Sequence, residues 1–199
     1  MGKNHPNVEE YVVSRVRALE SLLLEKGILA PGAVDQLVSR YENDTGPMVG
    51  ARAVAKAWTD PDYKRLLLDD SPAALAQFDL KYDLLVVVEN TDDVHNLVVC
   101  TLCSCYPWPV LGLPPTWYKS PAYRARSVIE PRALLREFGL EIPEQQEVRV
   151  WDSSAELRYM VLPQRPAGTE HLTEEALLPL ITRDALVGVA QVKAPATVG

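Results

Sequence analysis

All three cysteines of the chain lie within six consecutive residues, at Cys100, Cys103 and Cys105 in the segment CTLCSC. This C-x-x-C-x-C spacing is too cramped for ordinary disulfides between neighbours, but it lets three thiolates converge on one ion. An odd, clustered set also fits poorly with a secreted disulfide framework, which uses an even number of cysteines spread along the chain. The cluster therefore favours metal binding or reactive-thiol chemistry.

The fourth ligand of such a site is the first question that the sequence raises, since a structural zinc site normally takes four protein ligands. His95 is the one histidine near the cluster in sequence, and a histidine at a strand turn is more often a surface or supporting group than a ligand. A closed zinc site is therefore hard to assemble. The alternatives are an open position for substrate, or ligation by the loop amides of Ser104 and Cys105, which requires a strongly Lewis-acidic trivalent ion.

Composition excludes several classes of function. The 199 residues, 47% of them hydrophobic, are enough for one core and an appended arm. A formal charge of -7 argues against a nucleic-acid partner, because phosphate binders concentrate Lys and Arg on one face. The N-terminus MGKNHPNVEEY lacks the apolar run of a signal peptide, and no segment approaches the roughly 20 apolar residues of a membrane helix. We therefore expect a soluble, cytoplasmic protein without a membrane partner.

Helical periodicity predicts a helical arm over residues 1–45, with helices over Val8 to Lys26 and Ala33 to Tyr41. The main domain is expected over residues 46–199, opening with a helix from Val49 to Trp58. Two short helices should follow, each with a cap residue and a proline at its first position: Asp60 with Pro61, and Ser71 with Pro72.

Beyond these helices the period changes to that of strands. The runs LLVVVEN and NLVVC predict two buried strands, so the cysteine cluster begins where a strand ends. EVRVW and LRYMVLP, separated by DSSAE, predict a β-hairpin. Further helices are predicted over Pro131 to Phe138 and over Glu174 to Leu186; the second is capped by Thr173, and Pro179 can kink it. A mobile tail is predicted from about Gln191. The fold class is therefore α+β.

The segments VCTLCSCYPWPVLGLPPTWYK, YRARSV, EPRALLREFG, VRVWDSSAELRYMVLPQRPAGTE and TRDALVGV resemble the α subunit of nitrile hydratase. The resemblance covers about Glu9 to Val189 and implies an α/β/β/α layered domain. It further implies one low-spin Co(III) or Fe(III) ion, bound by the sulfurs of Cys100, Cys103 and Cys105 and by the backbone nitrogens of Ser104 and Cys105. The sixth position is open to water or substrate.

The same resemblance implies that Cys103 is oxidised to sulfinate and Cys105 to sulfenate. Thr101 and Tyr106 match the cobalt-type motif, whereas the iron-type has serine and threonine there, so cobalt is the expected metal. Ser104 resembles the serine that hydrogen-bonds the sulfur oxygens and water.

Residues around the ligands are also implied by the resemblance. Three thiolates and two amidates on a trivalent ion give a formal charge of about -2, which calls for nearby cations and donors. Arg158, oriented by Asp152 and Glu156, matches such positions; ordinary charge alternation on a solvent-facing strand pair is the simpler alternative. Trp108 and Trp117 either line the substrate pocket or pack the proline-rich loop onto the core.

The expected reaction is hydration of a small nitrile to its amide, with the trivalent ion as Lewis acid and oxygenated Cys105 as nucleophile or base. The expected partners are a β subunit, which supplies cations that residues 96–115 lack, and a maturation activator, in an αβ or α2β2 assembly. The segment AQFDLKYDLL departs from the glycine-containing turn of the family and predicts an altered substrate preference.

Three other functions remain open at this point. A thiocyanate hydrolase metal subunit shares CTLCSCYP, but its family has an arginine where this chain has Trp108. A non-catalytic zinc or metal-binding module needs no more than the three thiols. A cysteine-nucleophile nitrilase would require a dedicated Glu and Lys, which no motif supplies.

Overall fold

The computed structural model describes residues 8–39 and 47–195, and the chain divides into two compact units, residues 1–40 and 41–199. The first unit contains helices α1, Val8–Glu25, and α2, Ala33–Ser39, as predicted. Gly27, with a φ of 66°, follows the end of α1. Large apolar side chains along α1 are exposed, and Val16 and Leu19 are each 58% exposed. Residues 40–46, which follow α2, lie outside the described part.

Three helices open the second unit: α3, Pro47–Thr59, α4, Pro61–Asp69, and α5, Ser71–Ala76. Asp60 caps α4 as predicted, because its carboxylate accepts hydrogen bonds from the first free amides of the helix. The predicted cap of α5 is wrong. Asp70 caps that helix, whereas Ser71 is buried and donates to the Leu67 carbonyl at 2.8 Å.

Four strands form two parallel pairs rather than a hairpin. Strand β1, Leu85–Glu89, pairs with β4, Arg158–Leu162, and strand β2, Val94–Val99, pairs with β3, Glu147–Asp152. The predicted β3–β4 hairpin is therefore wrong. The segment DSSAE crosses between the sheets instead of turning back, because the mostly buried β1 and β2 each supply a partner for one of the two strands.

Helices cover the outer faces of the two sheets. On one side α4 and α5 contact β1; the sheets contact each other through β2 and β4. On the other side α7, Pro121–Ile129, contacts β2, and α8, Pro131–Glu137, contacts β3. The predicted helix at residues 131–138 is confirmed, but α7 was not anticipated. The order of layers is helix, sheet, sheet, helix, so the α+β class is confirmed.

Shorter elements complete the domain. The proline-rich stretch after the cysteines contains α6, Trp108–Leu111, and a 3₁₀ turn, Thr116–Lys119. The predicted last helix is wrong as a single element: it consists of α9, Glu174–Leu177, a 3₁₀ turn, Leu178–Leu180, and α10, Arg183–Val187. Proline at position 179 has no amide to continue the helix, and Thr182 caps a new one.

The chain after α10 lies close to β2. A Cβ atom at Gly188, whose φ is 92°, would lie 2.0 Å from the Asn96 carbonyl oxygen, so only glycine allows this approach. Residues 191–195 form no helix or strand, and the rest of the predicted tail lies outside the described residues. None of the helices in the described ranges has the length and apolar character needed to cross a bilayer.

Candidate metal centre

The cysteine loop, residues 100–105, leaves the carboxyl end of β2. In the parallel β2–β3 pair, Val99 lies opposite Asp152, so the loop begins beside the last residue of β3. The carboxyl edge of parallel strands is where α/β sheets present functional loops. The buried strand therefore fixes Cys100, which is fully buried, while Cys103 is exposed and Cys105 is intermediate.

The three sulfurs meet at one point. The Cys100 and Cys103 sulfurs are 3.6 Å apart, those of Cys103 and Cys105 are 3.1 Å apart, and all three lie within 4.8 Å of one another. These separations exceed the roughly 2.05 Å of a disulfide bond. Sulfurs bound to one ion at about 2.3 Å lie roughly 3–4 Å apart. The donor set therefore fits a single thiophilic ion.

A tight turn at Ser104 makes this convergence possible. Ser104 has a φ of 69°, in the left-handed region that non-glycine residues enter at a cost of about 1 kcal/mol. Its hydroxyl donates to the carbonyl of Cys103. The turn places Cys103 and Cys105, on either side of Ser104, with their sulfurs adjacent.

Proton affinities differ across the cluster. Burial opposes ionisation of Cys100, yet its pKa is lowered overall because the nearby amides of Cys103, Cys105 and Leu102 and the Cys103 thiol favour the thiolate. Burial, the hydrogen bond that the Cys105 thiol donates to Cys103 and the neighbouring negative charges raise the pKa of Cys105 to about 12, and the Arg158 charge opposes this rise. Metal binding at the loop must therefore displace a proton from Cys105.

Three side chains from distant parts of the chain hold the loop backbone. Asp152 accepts from the Thr101 amide at 2.9 Å and from its hydroxyl at 2.6 Å. Arg124 of α7 donates to the Thr101 carbonyl through Nε at 3.2 Å and Nη2 at 3.0 Å. The Tyr118 hydroxyl donates to the Cys105 carbonyl at 2.9 Å. Contacts within the protein therefore fix the backbone of the loop.

Cys103 and Cys105 line a cleft of about 460 Å³. Its wall contains Trp108 and two cations, Lys119 and Arg158, beside loop residues Cys103 to Tyr106 and Pro109. Another cleft, of about 550 Å³, lies at the carboxyl ends of β1 and β4, and no cysteine lines it. Of these two clefts, only the one at the cysteine loop is lined by described residues that offer soft sulfur ligands.

The two predicted tryptophans occupy different positions. Trp108 is 43% exposed and lines the cleft. Trp117 instead packs edge-on against Tyr123 at 4.8 Å and Phe138 at 4.9 Å between ring centroids, and it is not among the residues that line the cleft. The alternative that a tryptophan packs the proline-rich loop onto the core thus describes Trp117.

The three residues predicted to surround the ligands, Asp152, Glu156 and Arg158, also have different positions and contacts. Arg158 faces the cleft; its Nη1 donates to the Ala155 carbonyl, and its buried Nε has no hydrogen-bond partner among the described residues. Asp152 binds Thr101 rather than Arg158. Glu156 is exposed, and its amide donates to the Ser154 hydroxyl at 3.2 Å. Within the described ranges, neither carboxylate makes a hydrogen bond or ion pair with Arg158.

His95 lies away from the metal ligands. It is buried within β2 rather than at a strand turn, its Nε2 lies 2.7 Å from the Gly188 carbonyl oxygen, and its Nδ1 lies 3.3 Å from the Asn90 amide nitrogen. The cluster of potential metal ligands consists of the three cysteines without it. His95 is therefore a core histidine whose two ring nitrogens are already occupied.

Sequence reasoning did not identify Arg124, Tyr118 and Lys119 as part of the site, although all three follow the cysteines within the quoted motif segments. Tyr82, from the unusual segment before β1, is a further residue whose charge environment includes the site: burial raises its pKa, the Arg158 charge lowers it, and the Cys105 charge raises it. The signal that could have identified Arg124 is its place in YRARSV, a basic segment beside an anionic loop.

Comparison with known proteins identifies the family. Residues 10–190 match the family described as nitrile hydratase, alpha chain. The low-molecular weight cobalt-containing nitrile hydratase subunit alpha of Rhodococcus rhodochrous is 55% identical, over 93% of this chain and 91% of that protein. The cobalt-containing nitrile hydratase subunit alpha of Pseudonocardia thermophila is 52% identical over 96% of each chain.

More distant relatives include an iron enzyme and a related hydrolase. A double mutant of the Fe-type nitrile hydratase from Comamonas testosteroni Ni1 superposes with a TM-score of 0.85 at 43% identity, over 94% of this chain and 92% of that chain. The thiocyanate hydrolase subunit gamma of Thiobacillus thioparus is 42% identical over 98% of this chain and 87% of that protein. With a family match over nearly the whole chain and relatives above 50% identity, the chain belongs to the nitrile hydratase alpha-chain family.

Proposed function

We propose that this chain is the metal-bearing α subunit of a cobalt-dependent nitrile hydratase, which converts a nitrile and water to an amide. One observation carries the proposal: three cysteine sulfurs lie within 4.8 Å of one another in a loop at the wall of an open cleft. Because the chain belongs to the nitrile hydratase alpha-chain family, we assign nitrile hydration to this set of sulfur ligands.

The donors suit a trivalent ion. Cys100, Cys103 and Cys105 offer three soft sulfurs, and the amides of Ser104 and Cys105 complete the ligand set that we propose. The Cys105 amide lies close enough to the Cys100 sulfur to help lower the pKa of that thiol. A bound trivalent ion would supply Lewis acidity for activating the nitrile or water.

Cobalt is favoured over iron. Thr101 and Tyr106 match the cobalt-type motif, and two relatives above 50% identity are named as cobalt-containing. Besides matching the motif, Thr101 helps to hold the loop, because its hydroxyl donates to Asp152 at 2.6 Å. Tyr106 is buried and packs edge-on against Tyr118, with 4.9 Å between ring centroids.

The chain's own residues divide the work as follows. Oxygenated Cys105 attacks the nitrile carbon or accepts a proton from the attacking water, and the Ser104 hydroxyl hydrogen-bonds the sulfur oxygens. Arg158 offers its positive charge and its Nε, which has no hydrogen-bond partner in the described part of the chain, to the same oxygens. Trp108 supplies an apolar wall for the substrate carbon chain. Asp152 holds the loop through Thr101, whereas Glu156 is exposed to solvent.

The subunit works in an assembly. As an alpha subunit the chain has a β-subunit partner, and we propose that residues 1–45 form the arm that embraces it, in an αβ or α2β2 complex loaded by a maturation activator in the cytoplasm. The exposed apolar side chains of α1 support this role for the arm. Lys119 and Arg158 supply part of the positive charge around the loop from this chain itself.

The test compares the neutral and anionic substrates of the two related reactions. The cobalt-loaded complex is incubated with a neutral nitrile and with thiocyanate, and amide formation and thiocyanate loss are measured by chromatography. We expect amide from the nitrile at a kcat/KM at least 100-fold above that for thiocyanate, because Trp108 adds no charge to the cleft. Hydrolysis of thiocyanate in preference to the nitrile would assign the chain to the other activity. A metal-loaded complex inactive on both would leave a metal-binding module.

A further inference from the structure

We infer that Arg124 is a positioning residue for the metal centre: it holds the carbonyls of the cysteine loop outward, so that the loop amides face the sulfurs. The inference rests on the proposed metal site and adds a residue that the cysteine motif does not contain. Arg124 lies in α7, nineteen positions or more beyond the ligands, and touches none of the three sulfurs in the contacts described above.

Arg124 uses its guanidinium on two successive peptide groups. Besides its two bonds to the Thr101 carbonyl, its Nη2 donates to the Leu102 carbonyl at 3.3 Å. Hydrogen bonds from a charged donor are stronger than neutral ones, and the planar fork of arginine fixes direction as well as distance. Both carbonyl oxygens between Cys100 and Cys103 are therefore directed toward α7.

This orientation determines where the next amide points. The Leu102 carbonyl and the Cys103 N–H belong to one peptide group, and in a trans peptide they point in opposite directions. The carbonyl of that group binds Arg124, and the N–H donates to the Cys100 sulfur at 3.3 Å. The pull of Arg124 on one side thus aims a hydrogen-bond donor at a metal ligand on the other, and hydrogen bonds linked in this way strengthen each other.

The Thr101 residue is held from both sides. Asp152 binds its amide and hydroxyl, while Arg124 binds its carbonyl. Rotation of the peptide group before Thr101 would break its amide contact with Asp152, and rotation of the peptide group after it would break the contact with Arg124. The pair therefore limits the loop to the conformation in which the sulfurs converge.

The position of Arg124 is itself rigid. The adjacent Tyr123 is buried, and its hydroxyl donates to the Val98 carbonyl of β2 at 2.7 Å. The Ser120 side chain caps α7. Because α7 is anchored to β2, the strand that leads into the cysteine loop, Arg124 is held at a fixed distance from that loop.

Arg124 also brings positive charge. No Lys or Arg occurs between Asn96 and Pro115, yet three thiolates and two amidates around a trivalent ion would give the loop a formal charge of about -2. Among the described residues, Arg124 forms hydrogen bonds with loop carbonyls and no ion pair with a carboxylate. Its charge is therefore available to the loop rather than neutralised elsewhere.

The experiment compares Arg124→Gln and Arg124→Lys with a matched control, Arg132→Gln, in the complex with the partner subunit. Arg132 makes the same kind of contact with another loop, since it donates to the carbonyls of Ile142 and Pro143, both at 3.1 Å. Before cobalt loading, the alkylation rate of buried Cys100 is measured by peptide mass spectrometry. After loading, cobalt content, the sulfur-to-metal absorption band, kcat and KM are measured.

For Arg124→Gln we expect about 10-fold faster alkylation of Cys100, a shifted absorption band, and a kcat about 10-fold lower with KM changed less than about 2-fold. Arg124→Lys should fall between this variant and wild type, and Arg132→Gln should match wild type in alkylation and absorption. Should Arg124→Gln fail to fold, the Arg124→Lys values decide. Alkylation and absorption unchanged in the folded Arg124 variants would overturn the inference, even where the wild-type complex hydrates nitriles. Absence of cobalt from the wild type would count against the proposed function, while the alkylation rates would still test Arg124.

Discussion

The carboxylate of Asp152 accepts two hydrogen bonds from Thr101, one from its amide at 2.9 Å and one from its hydroxyl at 2.6 Å. This contact joins the last residue of β3 to the first residue after Cys100. It transmits the rigidity of the β2–β3 pair to a loop that has no regular secondary structure of its own. Asp152 thus affects the positions of the sulfurs indirectly, through the loop backbone.

Replacing Asp152 by Asn should loosen the loop. The amide group supplies one acceptor oxygen, so one of the two Thr101 donors meets an NH₂ group instead. We expect the loop to lose about 1–2 kcal/mol of local stability and the complex to release cobalt faster to a chelator. Asp69→Asn, at an exposed residue at the end of α4, is the control. Equal release rates for the two variants would show that the Thr101 contacts do not support the metal site.

Oxidation should follow exposure in the cluster. Cys103 is exposed, Cys105 is intermediate and Cys100 is buried. Because oxidants reach exposed thiolates first, peptide mass spectrometry of the active holoprotein should show two added oxygens on Cys103, one more labile oxygen on Cys105 and none on Cys100. Unmodified thiols in fully active enzyme would remove the basis for Cys105 as a catalytic group.

His95 should make stability depend on pH. Burial lowers the pKa of His95, Arg132 acts in the same direction, and the hydrogen bond to the Gly188 carbonyl opposes them. The unfolded chain, with a pKa near 6.5, therefore takes up the proton first as pH falls. The contribution of neutral His95 is complete above about pH 6.5 and declines below it, by up to about 1.4 kcal/mol per pH unit.

The matched variant for this prediction is His95→Gln, which retains a donor for the Gly188 carbonyl. Melting temperatures of the two proteins are compared between pH 7.5 and 5.0, where shared carboxylates affect both equally. The wild type should lose more stability than the variant over this range. Parallel curves would mean that His95 does not titrate differently in the folded and unfolded chains.

The arm should contribute to partner binding through the apolar side chains of α1. Leu19 and Leu22 are 58% and 51% exposed. If the partner covers them, Leu19→Ser with Leu22→Ser should weaken binding about 10- to 100-fold, from the apolar area no longer buried. Titration calorimetry with the partner subunit measures the change. Arg17→Ser, on the same helix, should bind like wild type, and wild-type affinity of the double variant would exclude this surface from the interface.

Local sequence signals predicted local features well. Asp60 and Thr173 cap the helices that they were expected to cap, because a cap needs only the next three residues. The cysteine spacing predicted convergence of the sulfurs, since six residues leave them no room to separate. Asp70, not Ser71, caps α5, although the side chain of either residue can accept hydrogen bonds from the helix amides. The Ser71 hydroxyl instead accepts from the Val87 amide of β1, a contact that the local sequence does not reveal.

Pairings across the chain were not predictable in the same way. The turn DSSAE suits a hairpin as well as a crossing between sheets, and the choice depends on β1 and β2, more than fifty residues earlier. Arg124 reaches the loop only because α7 packs on β2. The separation of Trp108 from Trp117 likewise depends on the aromatic cluster around Tyr123, which no local pattern specifies.

The metal content of the active complex tests the central claim most directly. Elemental analysis of the complex that converts nitrile to amide should find about one cobalt per α chain, and alanine at Cys100, Cys103 or Cys105 should abolish it, because each sulfur removes both charge and geometry from the site. Stoichiometric zinc in the active complex, or full cobalt retention in any of the three alanine variants, would contradict the account.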